Sequence, residues 1–290
     1  MGNSRSKHKI LTFFYTLSSS CSLFIAQYDY SCGTLSPDGR IFQVEYAQKA
    51  VELAGTAIGI KCTDGVLLAV EKPQSSKLLV AGSNRRVFGV ESHVGMAITG
   101  TSADGRQLVN RAREEASSYK DTYGHKIVPS VMANRLALFV HYFTIHGSLR
   151  PFGASGLFAA YDEDVKSPEL YMVEPSGNCV KYFACAAGKG AQAARTELEK
   201  ILNKRAESGI TCAEAVDEVA RILHVIRDPS KDKPFELEMG WLNAQNQFVY
   251  ELVPSAIVSA ADSKAKENLE GGAAAAAAAG GEEGASMDTA

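Results

Sequence analysis

The 290-residue chain lacks the features that mark several large protein classes. Its six cysteines (Cys21, Cys32, Cys62, Cys179, Cys185, Cys212) are too sparse for a disulfide scaffold, and none forms a CxxC pair, which argues against a zinc site. Cys62 and Cys212 fall in apolar-periodic segments and read as small core residues. No apolar run reaches the roughly 20 residues of a membrane span, so no membrane partner is expected. Basic surplus is absent too: 30 Lys and Arg stand against 33 Asp and Glu, a net charge of −3, and a nucleic-acid partner would need the opposite balance. The chain contains no Asn-x-Ser/Thr sequon and no HExxH. His141 and His146, five apart on one helical segment, point to different faces. Gly153-Ala154-Ser155-Gly156 misses the nucleophile elbow by one residue, and Gly188-Lys189-Gly190 is not a Walker loop. No catalytic residue, metal or cofactor is therefore expected.

What is present is dense periodic patterning from Tyr28 to Pro254. Ser36-Pro37-Asp38-Gly39 has turn chemistry, and Phe42, Tyr46, Ala50 and Leu53 follow at helical spacing, predicting a helix over about 39–53. The period then changes to two: 56–62 and 66–70 form a hairpin about Asp64-Gly65. A second strand pair is read at 87–90 and 95–99. Two long helices are expected at about 104–123 and 130–146, separated by Pro129. Strands at 154–161, 170–173 and 179–184 come next, then helices over 192–205 and from Thr211, whose Thr211-x-x-Glu214 spacing is a capping box. Strands near 235–241 and 247–252 complete the pattern. Blocks of strands alternating with helix pairs argue for an α+β fold with antiparallel sheets rather than a doubly wound parallel sheet.

The two ends differ from this body. In residues 1–27, Arg5, Lys7 and Lys9 precede an apolar stretch in the order of a secretory leader, but Ser18-Ser19-Ser20 interrupt it. This segment is expected to be an atypical extension, disordered or the artefact of an upstream start. Residues 255–290, rich in Ala and Gly with Glu282, Glu283 and Asp288, read as a flexible acidic tail outside a domain spanning 28–254; a continued helix through the alanines would be frayed by the glycine pairs on either side.

The run Ser36-Pro37-Asp38-Gly39-Arg40-Ile41-Phe42-Gln43-Val44-Glu45-Tyr46-Ala47 resembles the N-terminal signature of 20S proteasome alpha-type subunits. Tyr28-Asp29-Tyr30 resembles the family's Tyr-Asp-Arg gate segment, departing from it at Tyr30, and Arg150-Pro151-Phe152-Gly153 resembles a further hallmark. Val70-Glu71-Lys72, Arg113 to Ser117 and Lys231-Asp232-Lys233 are most similar to the alpha type-3 kind, which occupies the alpha-7 position. The resemblance implies a four-layer α/β/β/α sandwich of the N-terminal-nucleophile hydrolase type, two antiparallel sheets between helix pairs. It also implies a non-catalytic subunit. The catalytic members use an N-terminal threonine whose own amine acts as base. Here the matching strand begins at Gly55-Thr56, behind more than fifty residues, with Glu71 and Arg85 in the supporting acidic and lysine places. Arginine stays protonated and is a poor substitute for a tunable lysine.

The implied partners are other alpha subunits in a seven-membered ring, the beta-ring subunits, and regulatory-particle ATPases or other activators in ubiquitin-dependent degradation, in cytoplasm and nucleus. Tyr28, Asp29, Pro37 and Tyr46 are assigned by resemblance to the gate and ring contact; alternatively Pro37 and Tyr46 shape a turn and cover the core. Arg86 takes the place of the lysine that meets a docked activator C-terminus, or else forms a solvated pair with Arg85.

Overall fold

The computed structural model describes residues 28–74, 76, 78–80, 82–205, 208–227 and 234–279; the extension at 1–27, the end of the tail and Lys231-Asp232-Lys233 lie outside them. In chain order the elements are helix α1 (Phe42–Glu52), strands β1 (Ala57–Lys61), β2 (Gly65–Pro73), β3 (Val87–Glu91) and β4 (Val94–Gly100), helices α2 (Ser102–Tyr123) and α3 (Pro129–Ile145), strands β5 (Ala154–Asp162), β6 (Ser167–Val173), β7 (Cys179–Tyr182) and β8 (Ala184–Ala187), helices α4 (Ala191–Lys204) and α5 (Cys212–Ile226), strands β9 (Phe235–Asn243) and β10 (Glu251–Leu252), and helix α6 (Ser255–Ala279). Two five-stranded antiparallel sheets result, one in the order β10-β9-β2-β1-β8 and the other β3-β4-β5-β6-β7.

Three apolar clusters explain the layering. Along β2, Val66, Leu68 and Val70 face the other sheet and meet Leu157, Ala159, Leu170 and Met172, while Leu67 and Ala69 face α4 and α5. Along β4, Met96 and Ile98 face α2 and α3, while Ala97 faces the opposing sheet. Each sheet is thus buried on both faces, so these strands are apolar throughout rather than alternating with polar residues. The α/β/β/α sandwich expected from the resemblance is the fold observed. Glycine permits the closest approach between the sheets: a Cβ on Gly95 would lie 2.0 Å from the ring of Tyr250, and one on Gly240 2.0 Å from its hydroxyl.

Local readings hold in most places. The β1–β2 hairpin forms about Asp64-Gly65, Pro129 is the first residue of α3, and Thr211 and Glu214 make the reciprocal capping box. Two strand readings are corrected. The segment read as one strand at 179–184 is two: β7 pairs with β6, the chain breaks at Phe183, and β8 pairs with β1 in the other sheet. The strand read at 247–252 shrinks to Glu251–Leu252, because Gln247 and Phe248 take left-handed backbone with φ of 53° and 55°; Phe248 there stacks on Tyr161 at 3.9 Å.

The chain beyond the boundary read at 254 continues as a helix. Residues 255–279 are helical; Ala261 and Ala265 are buried against α5, and Asp262 bonds His224 at 2.6 Å. Alanine has the highest helix propensity, and a packed face of small side chains holds the helix despite the glycines at 271 and 272.

Candidate functional site

The gate-signature residues form one assembly at the start of α1. Ser36 N donates to the Arg40 carbonyl at 2.9 Å, Gly39 N to the Ser36 carbonyl at 2.9 Å, and Arg40 N to Ser36 Oγ at 3.0 Å. Pro37 supplies the fixed φ at the second place of this turn, and Gly39 closes it at φ +73°. Arg40 then grips Glu45 with both arms of its guanidinium and lies over Phe42, 5.2 Å from the ring centre, which anchors the turn to the first turns of α1.

The same helix reaches back to hold the segment that precedes it. Gln43 Nε2 donates to the Asp29 carbonyl at 2.5 Å and approaches its carboxylate at 3.5 Å. Desolvation first, then hydrogen bonding to Asp29, pushes the Tyr46 phenol above its ordinary pKa. Asp29 and Tyr46 thus meet within one chain. Tyr28, half-buried, and Pro37, exposed, take no part in that bond. Cys32 Sγ donates to the Leu149 carbonyl at 3.3 Å, fixing the lead against the loop after α3. Tyr30, where the sequence departs from the family pattern, is 86% exposed.

Thr56 is placed for structure. Its hydroxyl, on a residue 2% exposed, accepts from Gly190 N at 3.1 Å, and its amide N–H donates to Glu71 Oε2 at 3.2 Å. The preceding Gly55 carbonyl accepts from Thr99 Oγ1 at 2.5 Å. The nitrogen that would have to be a basic amine is therefore an amide in a locked peptide. Glu71 is spanned on its other side by Arg227, 3.2 Å away.

A cleft of about 400 Å³ opens beside this region, lined by Leu53, Glu71, Lys72, Asn84, Arg86 and Thr101 among others. Lys72 is only 5% exposed and is held by Glu236 at 3.2 Å and Glu238 at 3.4 Å. Arg86 Nη1 donates to the Gly100 carbonyl at 2.9 Å, and Arg86 N to Glu238 Oε2 at 2.8 Å. Burial, with Arg106 adding to it, lowers the Arg86 pKa from its ordinary value, against the pull of Glu238. Arg86 lines the same cleft as Glu71. Its carbonyl accepts the Ile98 N–H and extends the β3–β4 ladder, whereas Arg85 precedes that pairing and is exposed.

The Arg150 hallmark has a partner that the sequence did not disclose. Both arms of Arg150 bond Asp104, at 2.6 and 2.8 Å, and Asp104 Oδ2 also accepts from Gly153 N at 2.9 Å. The Arg150 bond chiefly holds the Asp104 carboxyl below its ordinary pKa, against desolvation. A depressed folded-state pKa gives stability that is present above the unfolded value, about 3.9, and is lost as pH falls through the folded one. Because Arg150 is largely exposed, Arg150→Ala is expected to cost only about 1–2 kcal/mol at pH 7. Urea unfolding of the two proteins should show that difference narrowing below about pH 4.

Comparison with known proteins places these features. The chain matches the N-terminal signature of A-type proteasome subunits over residues 28–50 and the general proteasome-subunit family model over 51–242. The chain belongs to the proteasome subunit family. It is similar to the alpha type-3 proteasome subunit of Dictyostelium discoideum, 49% identical over 84% of this chain and 96% of that protein, and to that of Spinacia oleracea, 48% identical over 84% and 95%. The probable alpha type-7 proteasome subunit of Schizosaccharomyces pombe is 47% identical over 81% and 91%. Both the matched signature and these relatives mark it as alpha-type, the structural and non-catalytic kind of subunit in a threonine protease complex. The blocked Thr56 amine is the physical counterpart of that assignment. Among the described residues no helix is long and apolar enough to cross a membrane.

Proposed function

We propose that this chain takes the alpha-7 place in a seven-membered outer ring of the 20S core, in cytoplasm and nucleus, and that its segment 28–46 gates the axial pore. The observation that carries the reading is the Asp29–Gln43–Tyr46 assembly, which couples the segment leading toward the chain start to the rigid helix α1. Exposed apolar side chains along this end, Leu35, Tyr46 and Leu53, support its packing against a neighbouring subunit. In this reading the cleft at Arg86 receives the C-terminal carboxylate of an activator, such as a regulatory-particle ATPase. Arg86 supplies positive charge there, and the apolar Leu53 supplies a wall.

Tyr46→Phe, built into the assembled core particle, tests the gate. Loss of the hydroxyl should lower activator-stimulated peptide hydrolysis several-fold relative to the unstimulated rate, while native gels show the particle intact. An unchanged ratio would mean that Tyr46 only covers the core. Arg86→Ala should raise the activator concentration needed for half-maximal stimulation, without that change in the maximal ratio.

A further inference from the structure

Cys62, Asp64 and Cys212 come from segments about 150 residues apart, yet one donor atom from each lies within 4.8 Å of the other two. We propose that these three side chains form a binding site for a thiophilic divalent cation of the zinc class, with a water in the fourth position. A tetrahedral zinc ion with bonds of about 2.3 Å to sulfur requires donors about 3.8 Å apart, so the existing spacing needs only a small contraction. Two sulfurs with one carboxylate oxygen is a donor set that favours zinc or cadmium over magnesium or calcium.

The frame around the site is rigid. Thr63 donates to the Ile210 carbonyl through both its N–H (2.9 Å) and its hydroxyl (3.2 Å), which joins the β1–β2 turn to the lead of α5. Cys62 N donates to the Gly65 carbonyl at 2.7 Å, and Ala244 N to the Asp64 carbonyl at 2.8 Å. A Cβ on Gly65 would lie 2.0 Å from the Leu242 carbonyl oxygen, so the turn packs directly on β9, with Gly65 paired opposite Asn243. Cys212 opens α5, and its N–H donates to Asp64 Oδ1 at 2.8 Å, orienting the carboxylate beside the thiols. Such outer bonds fix ligands ahead of binding. The cysteines are 4% and 1% exposed, while Asp64 is half-buried and gives the entry path.

The Asp64 carboxylate beside the two thiols supplies a third donor that a cation uses and a disulfide does not. The Cys62 contact, burial and the Asp64 carboxylate all raise the Cys212 pKa. Binding of two thiols as thiolates breaks two S–H bonds, forms two sulfur–metal bonds and releases two protons to the buffer.

Cadmium chloride titrated into the full chain, anaerobically under a phosphine reductant, tests the site. One cadmium per chain should bind, with a thiolate-to-metal absorption band in the near ultraviolet. Cys62→Ser and Cys212→Ser should each abolish the band, Asp64→Asn should weaken binding about 10–100-fold, and Cys179→Ser should change nothing. Affinity should rise with pH by up to about 100-fold per unit, as expected for two released protons. Should a serine variant misfold by circular dichroism, proton release by the wild-type chain decides: two per cadmium supports the site. No proton release, no band on folded wild-type protein, a band that survives both serine variants, or a Cys62–Cys212 disulfide formed in place of uptake would each overturn it.

Discussion

Glu238→Ala is expected to destabilise the chain by about 3–5 kcal/mol, the usual cost of stranding a buried charge. Glu238 on β9 is the best-buried carboxylate facing Lys72, whose own side chain is 5% exposed. Its other partner, Glu236, is 43% exposed and screened by water, so it replaces little of what is lost. The same Glu238 oxygen accepts the Arg86 N–H, so the substitution also orphans a main-chain donor at the wall of the cleft. Glu238→Gln keeps an acceptor for that amide and should cost less than alanine. Thermal melts measure both; for a domain of this size 1 kcal/mol moves Tm by about 2–4 °C, so alanine should lower it by about 10 °C. Equal melting of the two variants would show that the Arg86 N–H bond adds little, and wild-type melting of both would show that Glu236 suffices for Lys72. Because Arg86 loses its anchor, Glu238→Ala should weaken activator docking as well.

How far the sequence carried depends on what kind of signal each feature leaves. Elements announced by turn and cap chemistry were legible: Asp64-Gly65 for the first hairpin, Pro129 for the start of α3, Thr211 and Glu214 for the start of α5. Helix α6 was misread because its buried stripe consists of Ala261 and Ala265. A periodic face made of alanine leaves no contrast with an alanine-rich background, and what makes it a helix is the surface of α5 beneath it. The break at Phe183 was invisible for a related reason: both strands flanking it are apolar, and only pairing decides which sheet each joins.

At the site, the signature turn was readable because its chemistry is local. Asp29 was assigned by resemblance, and Gln43 lies in the signature run, but that the two bond across fourteen residues was not legible, since the contact is made by the fold. Asp104, Glu238 and the pairing of Cys62 with Cys212 were likewise unreadable, each being a contact created by the fold.

Phe158→Ala should cost about 3–5 kcal/mol, among the largest effects of any single truncation in the chain. Phe158 is fully buried on β5, stacked on Tyr171 at 5.0 Å with an interplanar angle of 11°, and faces α2 and α3. Its removal leaves a cavity between a sheet and a helix pair that are pinned elsewhere, by Arg150 on Asp104 and by His93 on the Ile127 carbonyl, so collapse around the void is restricted. Phe158→Leu retains most of the volume and should cost less than half as much, and denaturant midpoints at constant m-value would measure both. A reduced m-value in the alanine variant would instead report a change in compactness. Strand β4, which pairs with β5 at Met96 opposite Phe158, continues to Gly100, the acceptor for Arg86. Loss of packing beneath β5 should therefore reach the cleft through one strand, and Phe158→Ala should assemble poorly into core particles at temperatures where Phe158→Leu still assembles.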